Sequence, residues 1–121
     1  MQRLDAGLRH RVRFLLNGRA VEGDAEPRML ASDFLRQVLG ATGTHVGCEH
    51  GVCGACTIRI DGKAQRTCLT FAVQLDDCRL ETIEGLTDDK GDLNDLQTAF
   101  RRLHALQCGF CTPGMLMTGV D

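Results

Sequence analysis

The sequence predicts an α+β chain: short paired strands and helices over most of its length, then a segment that is all helical. Three observations carry this. Asn17-Gly18 and Asp61-Gly62 are tight-turn pairs that each follow a strand-like run, the strongest short-range hairpin signal. Between them Leu30, Phe34, Leu35, Val38 and Leu39 recur at the three-to-four spacing of one helix face. After the polar run Thr87-Asp88-Asp89-Lys90-Gly91, Leu93, Leu96, Phe100 and Leu103 step by three and four.

Taken in order, Val12 to Leu16 is a strand and Arg19 to Glu22 its return, with Pro27 closing the hairpin region. The helix from Leu30 to Leu39 stops at Gly40. A cysteine-bearing loop occupies Ala41 to Cys56, and Thr57 to Ile60 alternates as a strand. Leu69 to Leu75 forms a short helix, and Arg79 to Ile83 is again a strand. The polar run 87–91 is the boundary between a first domain at 1–86 and a second at 92–121. In the second, Asp92 is the expected N-cap of one helix. Thr112-Pro113 then reads as N-cap and first helical residue of another, with Met115, Leu116, Met117 and Val120 as its apolar face. That face breaks off at Asp121 in mid-pattern, so the chain is expected to be truncated at its C-terminus. There is no internal repeat and no low-complexity segment.

At 121 residues, pieces of this size bury little core and often need a metal or covalent staple. A net charge of −2 with mixed signs leaves no basic footprint for nucleic acid. The runs Arg9 to Arg13 and Arg101-Arg102 read as solvated faces. No apolar run approaches the ~20 residues of a membrane span. The N-terminus lacks the apolar core of a secretory signal, so a reducing, cytoplasmic setting is expected. There the seven cysteines are better read as metal ligands than as disulfides. Trp and Tyr are absent, so near-ultraviolet absorption is expected to be faint without a bound chromophore.

Cys48, Cys53 and Cys56 are separated by four and two residues, and Cys68 follows; this is the plant-type spacing for a [2Fe-2S] cluster. Four thiolates and a cluster carry net negative charge, which backbone N–H groups aimed at sulfur would stabilise. Gly47, Gly51 and Gly54 would supply positive φ and close approach, while Val52 and Ala55 are small enough to shield the sulfurs. Other readings exist. Cys53 and Cys56 form the spacing of a redox pair, and Cys53/Cys56 with Cys108/Cys111 could make a four-cysteine zinc site. The zinc reading leaves Cys48 and Cys68 idle. His45 and His50 flank the loop and could be ligands but read better as exposed loop residues, and Cys78 reads as a semi-buried thiol rather than a ligand.

The runs GTHVGCEHGVCGACTIRIDGKAQRTCLTFA, TIEGL and QCGFCTPGM, in that order, resemble the small iron–sulfur subunit of molybdenum hydroxylases, the xanthine dehydrogenase, aldehyde oxidase and aerobic carbon monoxide dehydrogenase family. Leu35-Arg36 also fits, and the match spans about residues 11–120. The resemblance implies a β-grasp domain like plant ferredoxin, with a cluster on Cys48, Cys53, Cys56 and Cys68, followed by an all-α domain, incomplete here. That second domain carries another [2Fe-2S] cluster, for which Cys108 and Cys111 would be half of the ligands; the family's later Cys-x-Cys is absent. Gln107 matches a glutamine that contacts molybdopterin. Electrons would leave molybdenum on a large subunit and pass through both clusters toward FAD on another subunit. The chain is thus expected to be the electron-transfer component of an oxidoreductase, without catalytic residues of its own. Arg101, Arg102 and His104 belong to the polar side of a helix. Plant-type clusters sit near about −400 mV, and a less negative value is expected for one serving a flavin. A stand-alone ferredoxin is the alternative, disfavoured by the short Cys56-to-Cys68 gap and by the QCGFCTPGM segment; a zinc-stapled interaction module is a further one.

Overall fold

In the computed structural model, residues 3–88 and 90–121 are described. Strands β1 (His10–Leu16) and β2 (Arg19–Ala25) form the first hairpin. Asn17 at φ +52° and Gly18 at φ +83° make the doubly left-handed turn whose twist suits paired strands. Both strands run longer than the sequence predicts, with His10 opposite Ala25. Arg11 pairs with Asp24 and Glu22, and Arg13 with Glu22, holding the open end together on the solvent face. Val12, Phe14 and Ala25 face the core.

The expected helix begins as α1 (Ala31–Asp33) and widens at once into a π-helical turn, Phe34–Val38. Leu39 N–H reaches back to the Phe34 carbonyl at 3.0 Å, five residues away. The wider turn lets the adjacent Phe34 and Leu35 both enter the core, and it turns Val38 outward. The Phe34 ring covers Gly23 of β2, where a methyl group would meet Cζ at 2.9 Å. Gly40, at φ +69°, ends the element as expected.

Strands β3 (Thr57–Ile60) and β4 (Lys63–Arg66) form the second hairpin through Asp61 and Gly62. The helix expected over 69–75 is instead two short 3-10 turns, Thr67–Leu69 and Ala72–Leu75. The interruption has a cause: Thr70 and Phe71 are extended and bridge to residues 29–31. Ala31 N–H donates to Thr70 O, and Ala72 N–H to Met29 O, both at 2.8 Å. Strand β5 (Arg79–Glu81) is shorter than expected because Thr82 leaves the ladder. The Thr82 N–H donates to Asn17 Oδ1 and its hydroxyl accepts from Asn17 Nδ2, both at 2.9 Å. The five strands form one mixed sheet in the order β2-β1-β5-β3-β4, in which only β1 and β5 run parallel. Phe34, Leu35, Ala72 and Leu75 pack on it with Val12, Phe14, Ile58, Ile60 and Leu80 to make the core.

Two helices follow, α2 (Asp95–Arg102) and α3 (Thr112–Val120). The cap of α2 is Asn94, not Asp92. Asn94 Oδ1 accepts the Gln97 N–H at 2.8 Å and Gln97 returns the bond at 2.9 Å. Asp92 instead donates its own N–H to the Asp88 carboxylate at 2.8 Å. Asp89, within the expected linker, lies outside the described residues. At α3 the cap is Cys111 and Thr112 is already helical, which leaves Pro113 in the first turn, where no N–H is needed. α3 buries Gly114, Leu116 and Met117 and lies against β3, whereas α2 buries none of its residues. Met115, expected on the apolar face, is exposed. No helix among the described residues is long and apolar enough to cross a membrane.

Asn17 thus fixes the first hairpin and ties it to the end of β5. Asn17→Gly keeps the turn but removes both side-chain bonds, and should cost about 1–3 kcal/mol in urea unfolding. Asn17→Ala adds left-handed strain of roughly 1–2 kcal/mol. Equal stability of the three proteins would show that the Thr82 bonds hold nothing.

Candidate metal centre

Between Gly40 and β3 the chain has no regular structure, and its backbone donors turn onto sulfur. Cys48 Sγ accepts the N–H groups of Val52 and Cys53 at 3.3 Å and of His50 at 3.5 Å. Ala55 N–H donates to Cys53 Sγ at 3.4 Å, and Cys68 N–H to Cys56 Sγ at 3.5 Å. Such a nest of N–H dipoles stabilises negative charge on sulfur. The Cys53 N–H, followed by that of His50, pulls the Cys48 thiol down to about 6. Burial pushes the Cys68 thiol up, although the Gly51 N–H opposes it.

The Cys53 thiol lies within side-chain hydrogen-bonding reach of Cys48 and the Cys56 thiol within reach of Cys68, which also feels the charge of Cys48. Cys56 and Cys68 are buried, Cys48 is half-buried and Cys53 is exposed. The second hairpin makes this possible. It carries Cys68 back beside Cys56, where the Thr67 hydroxyl donates to the Cys56 carbonyl at 2.8 Å. Thr57 Oγ1 likewise donates to the Gly54 carbonyl at 2.7 Å and closes the loop before β3. Among the described residues no three His, Cys, Asp or Glu side chains gather as ligands of one ion. A two-iron cluster asks instead for two pairs of thiolates, which is the arrangement present. The donor set, its spacing and the converging N–H groups all fit a [2Fe-2S] cluster.

The glycines act in different ways. Gly51 and Gly54 have positive φ, as expected, at +81° and +76°. Gly47 does not. It gives close approach only, since a methyl group there would meet Cys53 Sγ at 3.0 Å. Glu49, at φ +58°, takes a left-handed turn the sequence does not advertise. Ala55 is buried and shields the site, but Val52 is 71% exposed and covers nothing.

Cys108 and Cys111 lie exposed on the loop between α2 and α3, and Gln107 beside them is exposed too. This loop sits against the first. The His45 ring stacks on Phe110 with centroids 4.8 Å apart, and its Nδ1 lies 2.7 Å from the Phe110 carbonyl. His45 is therefore half-buried rather than an exposed loop residue, while His50 is exposed as expected. Gly114 of α3 packs directly on the Gly54 carbonyl and the Ala55 backbone. A glycine within a helical pattern is the sequence signal for such close approach. The stacking of His45 on Phe110 leaves no signal in the sequence. Cys78 is half-buried as expected and takes no part; its thiol donates to the Gln74 carbonyl at 3.4 Å, and burial, then Asp61, push its pKa up.

Two family descriptions match the chain: "2Fe-2S iron-sulfur cluster binding domain" over residues 14–90 and "[2Fe-2S] binding domain" over residues 82–121. Caffeine dehydrogenase subunit gamma of Pseudomonas sp. (strain CBB1) is 55% identical over 90% of this chain and 65% of its own length. A probable xanthine dehydrogenase subunit of Bacillus subtilis (strain 168) is 48% identical over 87% of this chain and 60% of its own length. The crystal structure of quinoline 2-oxidoreductase from Pseudomonas putida 86 superposes with a TM-score of 0.88 at 55% identity, covering 91% of this chain and 67% of that one. The chain therefore spans roughly two thirds of the length of these three relatives.

Cys53→Ser should strip iron and colour from the first site and lower the melting temperature, because metal binding and folding are coupled. Cys78→Ala should leave the visible spectrum unchanged, and a bleached Cys78→Ala protein would make Cys78 a ligand. Gly114→Ala drives a methyl group into the Gly54 carbonyl and should cost about 1–3 kcal/mol or more by chemical denaturation. Stability equal to the parent would mean that α3 does not rest on the cysteine loop.

Proposed function

The chain belongs to the [2Fe-2S]-binding iron–sulfur subunits of the molybdenum hydroxylase family, and on that premise we propose that it carries electrons from a molybdenum cofactor subunit toward FAD on another subunit, in the cytoplasm. When bound, a [2Fe-2S] cluster supplies one-electron redox chemistry, and the protein sets its place, hydrogen bonding and exposure. The observation that carries the reading is the set of three N–H groups converging on Cys48 Sγ beside a second, buried pair of thiols.

In this reading residues 1–86 are a β-grasp cluster domain and residues 92–121 the first part of a helical cluster-binding domain. Cys48, Cys53, Cys56 and Cys68 hold the first cluster. Cys108 and Cys111 supply half the ligands of a second. Exposed Gln107 meets molybdopterin across the subunit interface, next to the second pair of thiols. The stacked His45 and Phe110 hold the two cysteine loops side by side, which keeps the path between them short and fixed. The chemistry on substrate belongs to the partner subunit.

Iron and acid-labile sulfide per chain, with electron paramagnetic resonance of the reduced protein, test this. Two irons per chain, lost in Cys53→Ser, are expected for the first site alone, and four where the second site is completed. Gln107→Ala in the assembled complex should slow cluster reduction by substrate while leaving the iron content unchanged. A colourless protein that retains zinc and refuses iron on reconstitution would overturn the reading in favour of a stapled interaction module.

A further inference from the structure

Resting on the reading of Cys48, Cys53, Cys56 and Cys68 as a cluster cage, we infer that Arg66 is the cation that sets the reduction potential of that cluster. Arg66 ends β4 opposite Thr57, and Cys68 follows two positions later. One short turn therefore delivers both the fourth thiol and the guanidinium to the loop. The guanidinium lies against Gly54, the residue after Cys53: a methyl group built there would stand 3.5 Å from Nη2 and 3.8 Å from Cζ.

Among the described residues Arg66 has no counter-charge. Its Nε is buried without a hydrogen-bond acceptor. Arg59, whose Nε is likewise without a hydrogen bond, has the Asp121 carboxylate at 3.8 Å and bonds Glu81 at 3.1 Å. Buried donors without partners are rare, and a half-buried cation without a counter-charge is expensive. The negative charge missing from the chain is the one the adjacent cage is shaped to hold.

The physical consequence is directional. Reduction by one electron without a proton adds one negative charge to the site. A fixed positive charge against the loop favours that reduced form, and burial of Nε limits screening by salt. Arg66 therefore raises the midpoint potential. Thr57, across the ladder, fixes the distance by holding the Gly54 carbonyl.

The test is a redox titration followed by electron paramagnetic resonance on the full chain, with iron content measured first. Removing the charge in Arg66→Gln or Arg66→Met should lower the reduction equilibrium constant roughly three- to tenfold, the upper limit being about 59 mV for a one-electron couple. Arg66→Lys should recover most of the shift. Lys63→Gln, at the far end of the same strand opposite Ile60, should change little. An unchanged midpoint in the neutral variants would overturn the inference, and so would an equal shift in Lys63→Gln, which would reduce the effect to net charge. Loss of iron from both neutral variants would make Arg66 an assembly residue rather than a tuner and would also overturn it. Cys53→Ser separates the two levels: if it leaves the titrated signal in place, the cage reading fails and the inference falls with it.

Discussion

The return of the chain at Cys68 to the loop at Cys56 is the constraint on which the site depends. Three thiols within nine residues of loop cannot enclose anything alone. Enclosure needs the fourth, and β3 and β4 bring it. The Thr67 hydroxyl on the Cys56 carbonyl and the Cys68 N–H on the Cys56 sulfur lock the return. Moving either strand by one register would turn the side chains of β4 to the opposite face of the sheet and displace the turn that carries Cys68. The turn residues Asp61 and Gly62, far from any sulfur, are therefore as much a part of the cage as the glycines inside it.

A second constraint joins the two cysteine loops. Gly114 touches the Gly54 carbonyl, and His45 stacks on Phe110, so both α3 and the loop before it rest on the first loop. Rigid placement of this kind would suit the proposed role, because hydrogen bonding and solvent exposure both tune a cluster. Of the first four cysteines, Cys53 is the one exposed to solvent.

Much of this is legible in the sequence, and what is not legible follows a pattern. Hairpin turns, the β3 run and the spacing of Cys48, Cys53, Cys56 and Cys68 are local signals, and local signals can be read. Phe34 and Leu35 fall on the core face as their spacing predicts, but the π-helical turn that lets neighbours share that face has no periodic signature. The helix expected over 69–75 does not form because Phe71 is claimed by Leu30, forty-one residues back, and propensity cannot see such a bridge. Asp92 and Asn94 are equally good caps by residue type; Gln97, three residues after Asn94, is the signal that separates them. Val52 is small enough to shield sulfur, yet its direction depends on how the loop curls. Arg66 and His45 gain meaning only once the loops are placed.

The contrast between local and distant contacts has a consequence for how the molecule assembles. Every member of the cage lies between Cys48 and Cys68, joined by one tight hairpin. The sheet is different: the parallel pairing of Leu15 with Arg79 closes a loop of 79 − 15 = 64 positions. Short closures form early and long ones late, because loop entropy must be met before a distant contact gives anything back. The thiol-bearing hairpin is thus able to take shape while the β1–β5 seam is still open. In the proposed reading, whatever delivers iron and sulfide would meet a nearly complete receptacle on a chain that has yet to finish folding.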